Sequence, residues 1–127
     1  MAARDTRPFF LNLIKIRLPI PGVVSIMHRI SGVLMVISIP LIIYLFELSL
    51  RDEAGFAQAS ALLAHPLSRL VMLSLIWALL HHLFAGIRFL LTDFDIGLDK
   101  AQSRMTAWTV IVLEVLAMLW IVVRMCS

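Results

Sequence analysis

The sequence predicts an all-α integral membrane protein with three transmembrane helices, and three observations support this prediction. Of the 127 residues, 61% are hydrophobic and 15% are charged, whereas soluble domains average about 45–50% and about 25%. Three long apolar stretches are separated by polar linkers. A chain of this length has too little interior to hide so many apolar side chains from water, so lipid is the expected solvent. A soluble enzyme domain is therefore disfavoured, and a disordered chain is excluded.

Each apolar stretch is long enough to cross a bilayer, which takes about 20 residues of helix. The stretches belong to a single membrane-anchor domain that comprises residues 1–127. Gly55, Pro66 and Gly97 lie in the two linkers, where they indicate turns. The predicted transmembrane helices cover about residues 22–50, 70–91 and 105–124.

Residues 1–21 are predicted to form a cytoplasmic or interfacial segment. They contain no apolar region followed by a small-residue cleavage site, so a signal peptide is not expected. The apolar residues between positions 9 and 14 precede Lys15 and Arg17, a pattern that fits a short amphipathic segment lying among lipid headgroups.

Basic residues are distributed unevenly between the two ends of the predicted bundle. Eight lie before or near the start of the first span, or from the end of the second span to the start of the third, and three lie on the other side. Because basic residues favour the cytoplasmic side, we expect a cytoplasmic N-terminus and an outward C-terminus. A bacterial inner membrane is the expected location, ahead of a mitochondrial inner membrane. The net charge of +3 is thus interpreted as membrane topology and not as a nucleic-acid surface.

Polar side chains cluster at the start of the first predicted span. With Pro21 in the first turn, Ser25 and Arg29 lie on one face of the helix, four residues apart. His28 lies one turn from Ser25. A hydroxyl, an imidazole and a guanidinium placed together could bind a carbonyl or a carboxylate at the membrane edge. Anchoring of His28 and Arg29 among lipid headgroups is the alternative.

The second span carries two adjacent histidines, His81 and His82, at membrane depth. Such residues are costly in lipid and default to function, and imidazole is a common axial ligand of haem iron. Adjacent side chains lie about 100° apart around a helix, so one site is not expected to use both. We predict His82 as the ligand because small residues clear its face for a flat macrocycle, whereas His81 shares its side with Trp77 and Phe84. An interhelical hydrogen bond is the alternative. The predicted stripe comprises Ser74, Ala78, His82, Ala85 and Gly86.

Arg88 and Glu114 are charged residues within or beside the predicted spans. Arg88 could meet a haem propionate or extend towards the headgroups. Glu114 would lie near the bilayer centre, where an acid costs roughly 2.5–3.5 kcal/mol. It is either a satisfied residue facing the bundle or a partner, or a proton-relay group. Because three helices are not expected to bury it well, it indicates a further membrane subunit.

Cysteine chemistry is not expected. The single Cys126 excludes a disulfide framework and a cysteine-based metal site within the chain, and no CxxCH motif for covalent haem occurs.

Two motifs of this sequence resemble the signatures of the cytochrome b subunit of succinate dehydrogenase, a membrane anchor of succinate:quinone oxidoreductase. The resemblance covers about residues 7–97 and includes an early Arg7-Pro8. Phe89 departs from it, since many members have histidine there, and Asp95 lengthens the usual Asp-x-Gly ending. The motifs are Ser25-x-x-His28-Arg29-x-Ser31-Gly32 and His82-x-x-x-Gly86-Ile87-Arg88-x-x-x-x-Asp93.

The resemblance implies a haem b held between two membrane subunits, with His82 as the axial ligand from this chain. It implies that Ser25 and Arg29 help form a ubiquinone site and that His28 and Arg29 lie by the haem propionates. Arg88 is a further candidate for binding the cofactor. Expected partners are a second membrane anchor, an iron–sulfur subunit, a flavoprotein subunit and lipid, with no nucleic acid. The chain alone is not expected to be catalytic.

Three alternatives to this function remain at the level of sequence. The first is the membrane anchor of a fumarate reductase, which oxidises menaquinol. The second is a small proton-coupled membrane transporter subunit built around Glu114. The third is a non-catalytic membrane scaffold.

Overall fold

A computed structural model describes residues 17–126, which form four helices and no strand. The predicted interfacial segment before Arg17 and the Arg7-Pro8 pair lie outside the described residues. Three of the helices are long and apolar enough to cross a membrane, so the predicted all-α fold with three such helices is confirmed. The helices are α1 (Ile20–Arg51), α2 (Glu53–Ala64), α3 (Pro66–Asp93) and α4 (Lys100–Cys126).

Helix α2 is the element that the sequence interpretation missed, since the segment between the first two spans was expected to be a polar, turn-forming linker. Its residues are rich in alanine and leucine, which are good helix formers. The Asp52 carboxylate caps its first turn by accepting a hydrogen bond from the Gly55 backbone N–H at 2.6 Å. The helix ends at Ala64, and Pro66 begins α3 after the intervening His65. A side chain at Gly55 would collide with the Leu48 carbonyl oxygen, so glycine permits α2 to fold back closely on α1.

The three long helices run up, down and up. Near the start of α1, the His28 ring contacts Phe89 near the end of α3. Near that same end, Arg88 bonds Ser103 and Thr106 in the first turns of α4. The start of α1, the end of α3 and the start of α4 therefore share one side of the bundle, which we call the α1-entry side.

The turn between α3 and α4 is closed by backbone hydrogen bonds typical of a helix C-terminus. The Ile96 N–H donates to the Leu91 carbonyl and the Asp95 N–H to the Thr92 carbonyl. Asp95 adopts a left-handed conformation with φ of 61°. Gly97 follows with φ of 83°, a conformation that glycine adopts without strain.

The packed interior is small and built from small side chains. Its centre consists of Val24 on α1, Ala85 on α3, and Ala107 and Val110 on α4. Small residues let helix backbones approach closely, which is how helices associate in lipid. Large apolar side chains such as Ile43 and Trp120 instead point outward and are more than half exposed. This outward apolar surface is the one that a bilayer would cover.

Candidate functional site

A long apolar groove lies between α1 and α3, and the candidate site is at one end of this groove. Its volume is about 1570 Å³. Residues of α2, among them Leu62 and Leu63, line the end opposite the α1-entry side. His28, Arg29 and His82 are the basic side chains among its lining residues and lie towards the α1-entry side. An apolar cleft with a few convergent polar groups is typical of a cofactor or ligand site.

The His82 ring is held by the backbone of α1. Its Nδ1 atom lies 3.2 Å from the His28 carbonyl oxygen and 3.3 Å from the Ser31 hydroxyl oxygen. Because a carbonyl only accepts hydrogen bonds, Nδ1 carries the proton, and the Nε2 lone pair of the neutral ring is left for a ligand. Histidines that bind metals commonly donate their other ring N–H to a carbonyl in this way.

Ser31 completes this arrangement, although the sequence interpretation gave it no role. The residue is fully buried. Its hydroxyl donates to the His28 carbonyl at 2.7 Å and can accept from Nδ1 of His82. The signal in the sequence was its spacing three residues after His28, because a serine inside a helix commonly bonds a carbonyl of the preceding turn.

The His28 ring stacks on the His82 ring, with centroids 4.0 Å apart and an interplanar angle of 15°. Phe89 meets the His28 ring edge-on at 5.1 Å. The phenylalanine that departs from the family pattern thus packs against one of the predicted site residues.

Two glycines make room for these rings. A side-chain carbon at Gly32 would lie 3.1 Å from Cε1 of His82, closer than ordinary van der Waals contact. A carbon at Gly86 would lie 3.6 Å from Nε2 of His28, an ordinary contact distance. The His82 ring therefore requires a glycine at position 32, where a side chain would crowd it.

His81 lies on a different side of α3, buried in the bundle. Its Nδ1 atom is 2.7 Å from a carboxylate oxygen of Glu114 and its Nε2 atom is 3.3 Å from the Val24 carbonyl oxygen. Trp77 stacks beside it at 5.6 Å, as the sequence predicts. The two adjacent histidines therefore face different surroundings.

The stripe of small residues predicted around His82 is divided between two sides of α3. Ala78 and Ala85 are fully buried, and Ala85 packs in the interior with Val24, on the side of His81. Leu75 and Leu79 line the groove instead. The clearance beside His82 comes from Gly32 of α1, which a pattern within α3 alone does not reveal.

Glu114 was expected to be poorly buried by this chain alone, and this expectation was wrong. The residue is 7% exposed and its carboxylate meets His81 inside the bundle. Of the two interpretations offered for Glu114, the structure supports a satisfied polar residue that faces the bundle.

Arg29 and Ser25 lie on the α1-entry side, with Arg29 exposed at the mouth of the groove. Ser25 is half-buried one turn closer to the start of α1 and is not part of the groove lining. No hydrogen bond joins either side chain to another residue within 17–125. Within that part of the chain, neither group has a hydrogen-bond partner that a ligand would have to displace.

Arg88 is buried and faces α4. Its guanidinium donates to Thr106 Oγ1 at 3.1 Å, to Ser103 Oγ at 2.9 Å and to the Ser103 carbonyl at 3.4 Å. Arg88 therefore neither extends towards the headgroups nor lines the groove.

The fold and the site together define a three-span, all-α membrane subunit with an imidazole pair between two of its helices. Residues 3–122 match the family described as the succinate dehydrogenase/fumarate reductase transmembrane subunit, and the chain belongs to that family. The family resemblance predicted from the two motifs is thus confirmed. Membership implies that the chain is one subunit of a membrane complex.

Several curated relatives are similar over most of their length. The succinate dehydrogenase cytochrome b556 subunit of Coxiella burnetii is 37% identical over 123 residues, covering 91% of this chain and 96% of the relative. The subunit of the same name from Paracoccus denitrificans is 33% identical over 108 residues, covering 85% and 83%. That of Rickettsia bellii is 28% identical over 119 residues, covering 92% and 93%. These bacterial relatives and the three long apolar helices indicate an inner-membrane protein.

Proposed function

We propose that this chain is the cytochrome b subunit of a succinate dehydrogenase, which binds haem b through His82 and contributes Ser25 and Arg29 to a ubiquinone-reducing site. The observation that carries the proposal is the His82 ring, whose Nδ1 bonds the His28 carbonyl at 3.2 Å and whose Nε2 is left for iron. When bound, haem would supply a one-electron redox centre whose potential depends on its axial ligands and neighbouring charge.

The groove accounts for the size and the polarity of the proposed haem site. Its walls are mostly apolar, as a macrocycle requires, while His28 and Arg29 stand beside His82 at the α1-entry side. A guanidinium is well suited to bind a carboxylate, so Arg29 and His28 are the proposed partners of the propionates. Arg88 joins them only if its side chain leaves Ser103 and Thr106.

The partner membrane subunit would close the groove and supply the other ligand to the iron. In this chain, the ring of His82 would bind the iron from one side. The rest of the groove lining is mostly apolar. The iron–sulfur and flavoprotein subunits would bind on the α1-entry side, which we propose is cytoplasmic from the uneven distribution of basic residues.

Ser25 and Arg29 would act on the quinone at the membrane edge. Reduction of a quinone takes two electrons and two protons, and negative charge develops on its carbonyl oxygens. The Ser25 hydroxyl can donate to one of these oxygens, and the Arg29 cation can stabilise the charge. Exposure of Arg29 on the α1-entry side would give protons access from water and would give the isoprenoid tail access from lipid.

The remaining alternatives have less support. The family includes fumarate reductase subunits, but the relatives described above are all named as succinate dehydrogenase subunits. A transporter built around Glu114 would need that carboxylate to face a pathway, whereas it is bonded to His81 inside the bundle.

A reduced-minus-oxidised spectrum of the purified complex tests the proposed haem site. The native complex should show a b-type spectrum, and His82→Ala should abolish it. Leu83→Ala is the matched control, since this neighbour is 51% exposed and points away from the bundle, and it should keep the spectrum. A b-type spectrum that survives His82→Ala unchanged would show that another residue ligates the iron.

A further inference from the structure

The His81–Glu114 pair is buried in the bundle, away from the groove described above. Neither residue lines the groove. The His81 side chain is 3% exposed and that of Glu114 is 10% exposed. An acid buried at this depth is expensive in lipid and is usually retained for a reason.

The hydrogen bonds of His81 hold its ring at both ends. Its two ring nitrogens meet the Glu114 carboxylate and the Val24 carbonyl, and an ionised carboxylate and a carbonyl are both acceptors. Both bonds form when the ring carries two protons, or when Glu114 carries one proton and donates it to Nδ1. The pair is electrically neutral as a whole in either form, which is how it is tolerated inside a membrane.

The two adjacent histidines together set how α3 sits against α1. His81 bonds the carbonyl of Val24 and His82 bonds the carbonyl of His28. These two carbonyls lie one helical turn apart on α1. Rotation or sliding of α3 therefore breaks both bonds at once, and Glu114 extends the same constraint to α4.

We propose that His81 and Glu114 are positioning residues that fix the rotation of α3 and thereby the direction in which His82 presents its Nε2 atom. This inference rests on the proposed ligation of haem by His82. Neither residue lines the groove proposed to hold the cofactor. Their effect reaches it through the backbone that His81 shares with His82.

Two substitutions of Glu114 separate the hydrogen bond from the bulk of the side chain. Glu114→Leu removes the acceptor and leaves Nδ1 of His81 buried without a partner. It also removes an acid from the membrane, so the variant should insert at least as well as the native chain. Glu114→Gln keeps both bonds, because its amide N–H can donate to Nδ1 while Nε2–H donates to Val24.

The experiment compares the purified complexes by electron paramagnetic resonance of the ferric haem, by haem retention during detergent titration and by thermal unfolding. Glu114→Leu should shift the resonance, which depends on the orientation of the axial imidazoles. It should weaken haem retention severalfold, less than the roughly tenfold expected for a residue bonded directly to the ligand, because Glu114 bonds His81 and not His82. Glu114→Gln should match the native complex. Val115→Ala, at an adjacent position that is 50% exposed, is the matched control and should also match it.

A second route uses His81 itself. His81→Phe keeps a flat ring but loses both bonds, and it should produce the same resonance shift as Glu114→Leu. The double variant should add nothing, because both changes break one network.

Several outcomes would overturn the proposal. If Glu114→Leu and His81→Phe lower the unfolding temperature but leave resonance and haem retention native, the pair only stabilises the bundle. If Glu114→Gln behaves like Glu114→Leu, the hydrogen bond is not what positions His82. The proposed function is tested separately by the spectrum of the native complex. If that spectrum shows no haem, the proposed function is contradicted, whatever the variants do.

Discussion

Nδ1 of His82 lies 3.2 Å from the backbone carbonyl oxygen of His28, and the two imidazole rings stack 4.0 Å apart. The hydrogen bond involves the backbone of His28 and the stack involves its side chain, so one residue constrains His82 in two independent ways. The orientation of the proposed ligand is therefore set by α1, although the ligand itself lies on α3.

Ser31→Ala should weaken haem binding without preventing assembly. The substitution removes a hydroxyl that donates to the His28 carbonyl and lies 3.3 Å from Nδ1 of His82. Loss of one such bond costs about 0.5–1.5 kcal/mol, and we expect haem affinity to fall roughly tenfold. Haem content per subunit during detergent titration measures this effect.

Ser49→Ala is the matched control for Ser31→Ala. Ser49 also donates to a carbonyl three residues earlier on α1, at 2.7 Å, but it does not line the groove and has no hydrogen bond to a histidine among the described residues. It should keep native haem affinity. Equal losses in the two variants would mean that Ser31 matters only for helix packing.

Gly32→Ala should be more harmful than Gly86→Ala. The new methyl group at Gly32 would lie 3.1 Å from the His82 ring, whereas that at Gly86 would lie 3.6 Å from the His28 ring. Crowding of a packed site typically costs about 1–3 kcal/mol, while glycine to alanine in a helix otherwise gains about 0.5–1 kcal/mol. Gly32→Ala should thus lose haem and unfold at lower temperature. Unfolding temperature and haem spectrum check this, and a native spectrum in Gly32→Ala would contradict the close approach of the two helices.

Arg29→Ala should impair quinone reduction more than Ser25→Ala. A hydrogen bond to a charged group contributes about 1.5–3 kcal/mol and one between neutral groups about 0.5–1.5 kcal/mol, so we expect a loss of about tenfold or more for Arg29→Ala. Succinate oxidation with a soluble dye should stay native in both variants, since electrons then leave before reaching the membrane.

The control for Arg29→Ala is Arg51→Ala, an exposed arginine at the opposite end of α1 that pairs with Glu47. It should leave both reactions native. If Arg29→Ala instead lowered dye and quinone reduction in proportion, Arg29 would serve assembly with the iron–sulfur subunit. If it lowered neither, Arg29 would only anchor the helix among headgroups.

The C-terminus should lie on the non-cytoplasmic side of the membrane. Eight of the eleven basic residues fall on the α1-entry side by the order of the spans, and the α4 end lies opposite that side. A topology reporter fused after Ser127 should report a non-cytoplasmic position, and the same reporter inserted after Gly97 should report a cytoplasmic one. Inverted results would mean that the bundle inserts with the opposite orientation.

Much of the architecture is determined by the sequence alone. Three apolar stretches of more than 18 residues have no stable alternative to helices across lipid, because every backbone polar group must be bonded within its own segment. The motifs around His28 and His82 are local as well. Their spacing suffices to indicate the family and the end of the bundle at which polar groups gather.

Helix α2 shows where local patterns became ambiguous. Its segment is mostly apolar but too short to span a membrane, and it follows an arginine and an aspartate at positions 51 and 52. Whether such a segment folds as a helix depends on its contacts with neighbouring helices. Here Gly55 allows that contact with α1.

The pairing of side chains was decided only by the tertiary structure. His81 and Glu114 are 33 residues apart, and the sequence contains no pattern that joins them. Likewise, the direction of Arg88 depends on Ser103 and Thr106 of α4. A helical period specifies which residues share a face, but the rotation of one helix against the next specifies what that face meets. That rotation follows from close contacts between helices, such as the one Gly32 permits, and these exist only in the packed bundle.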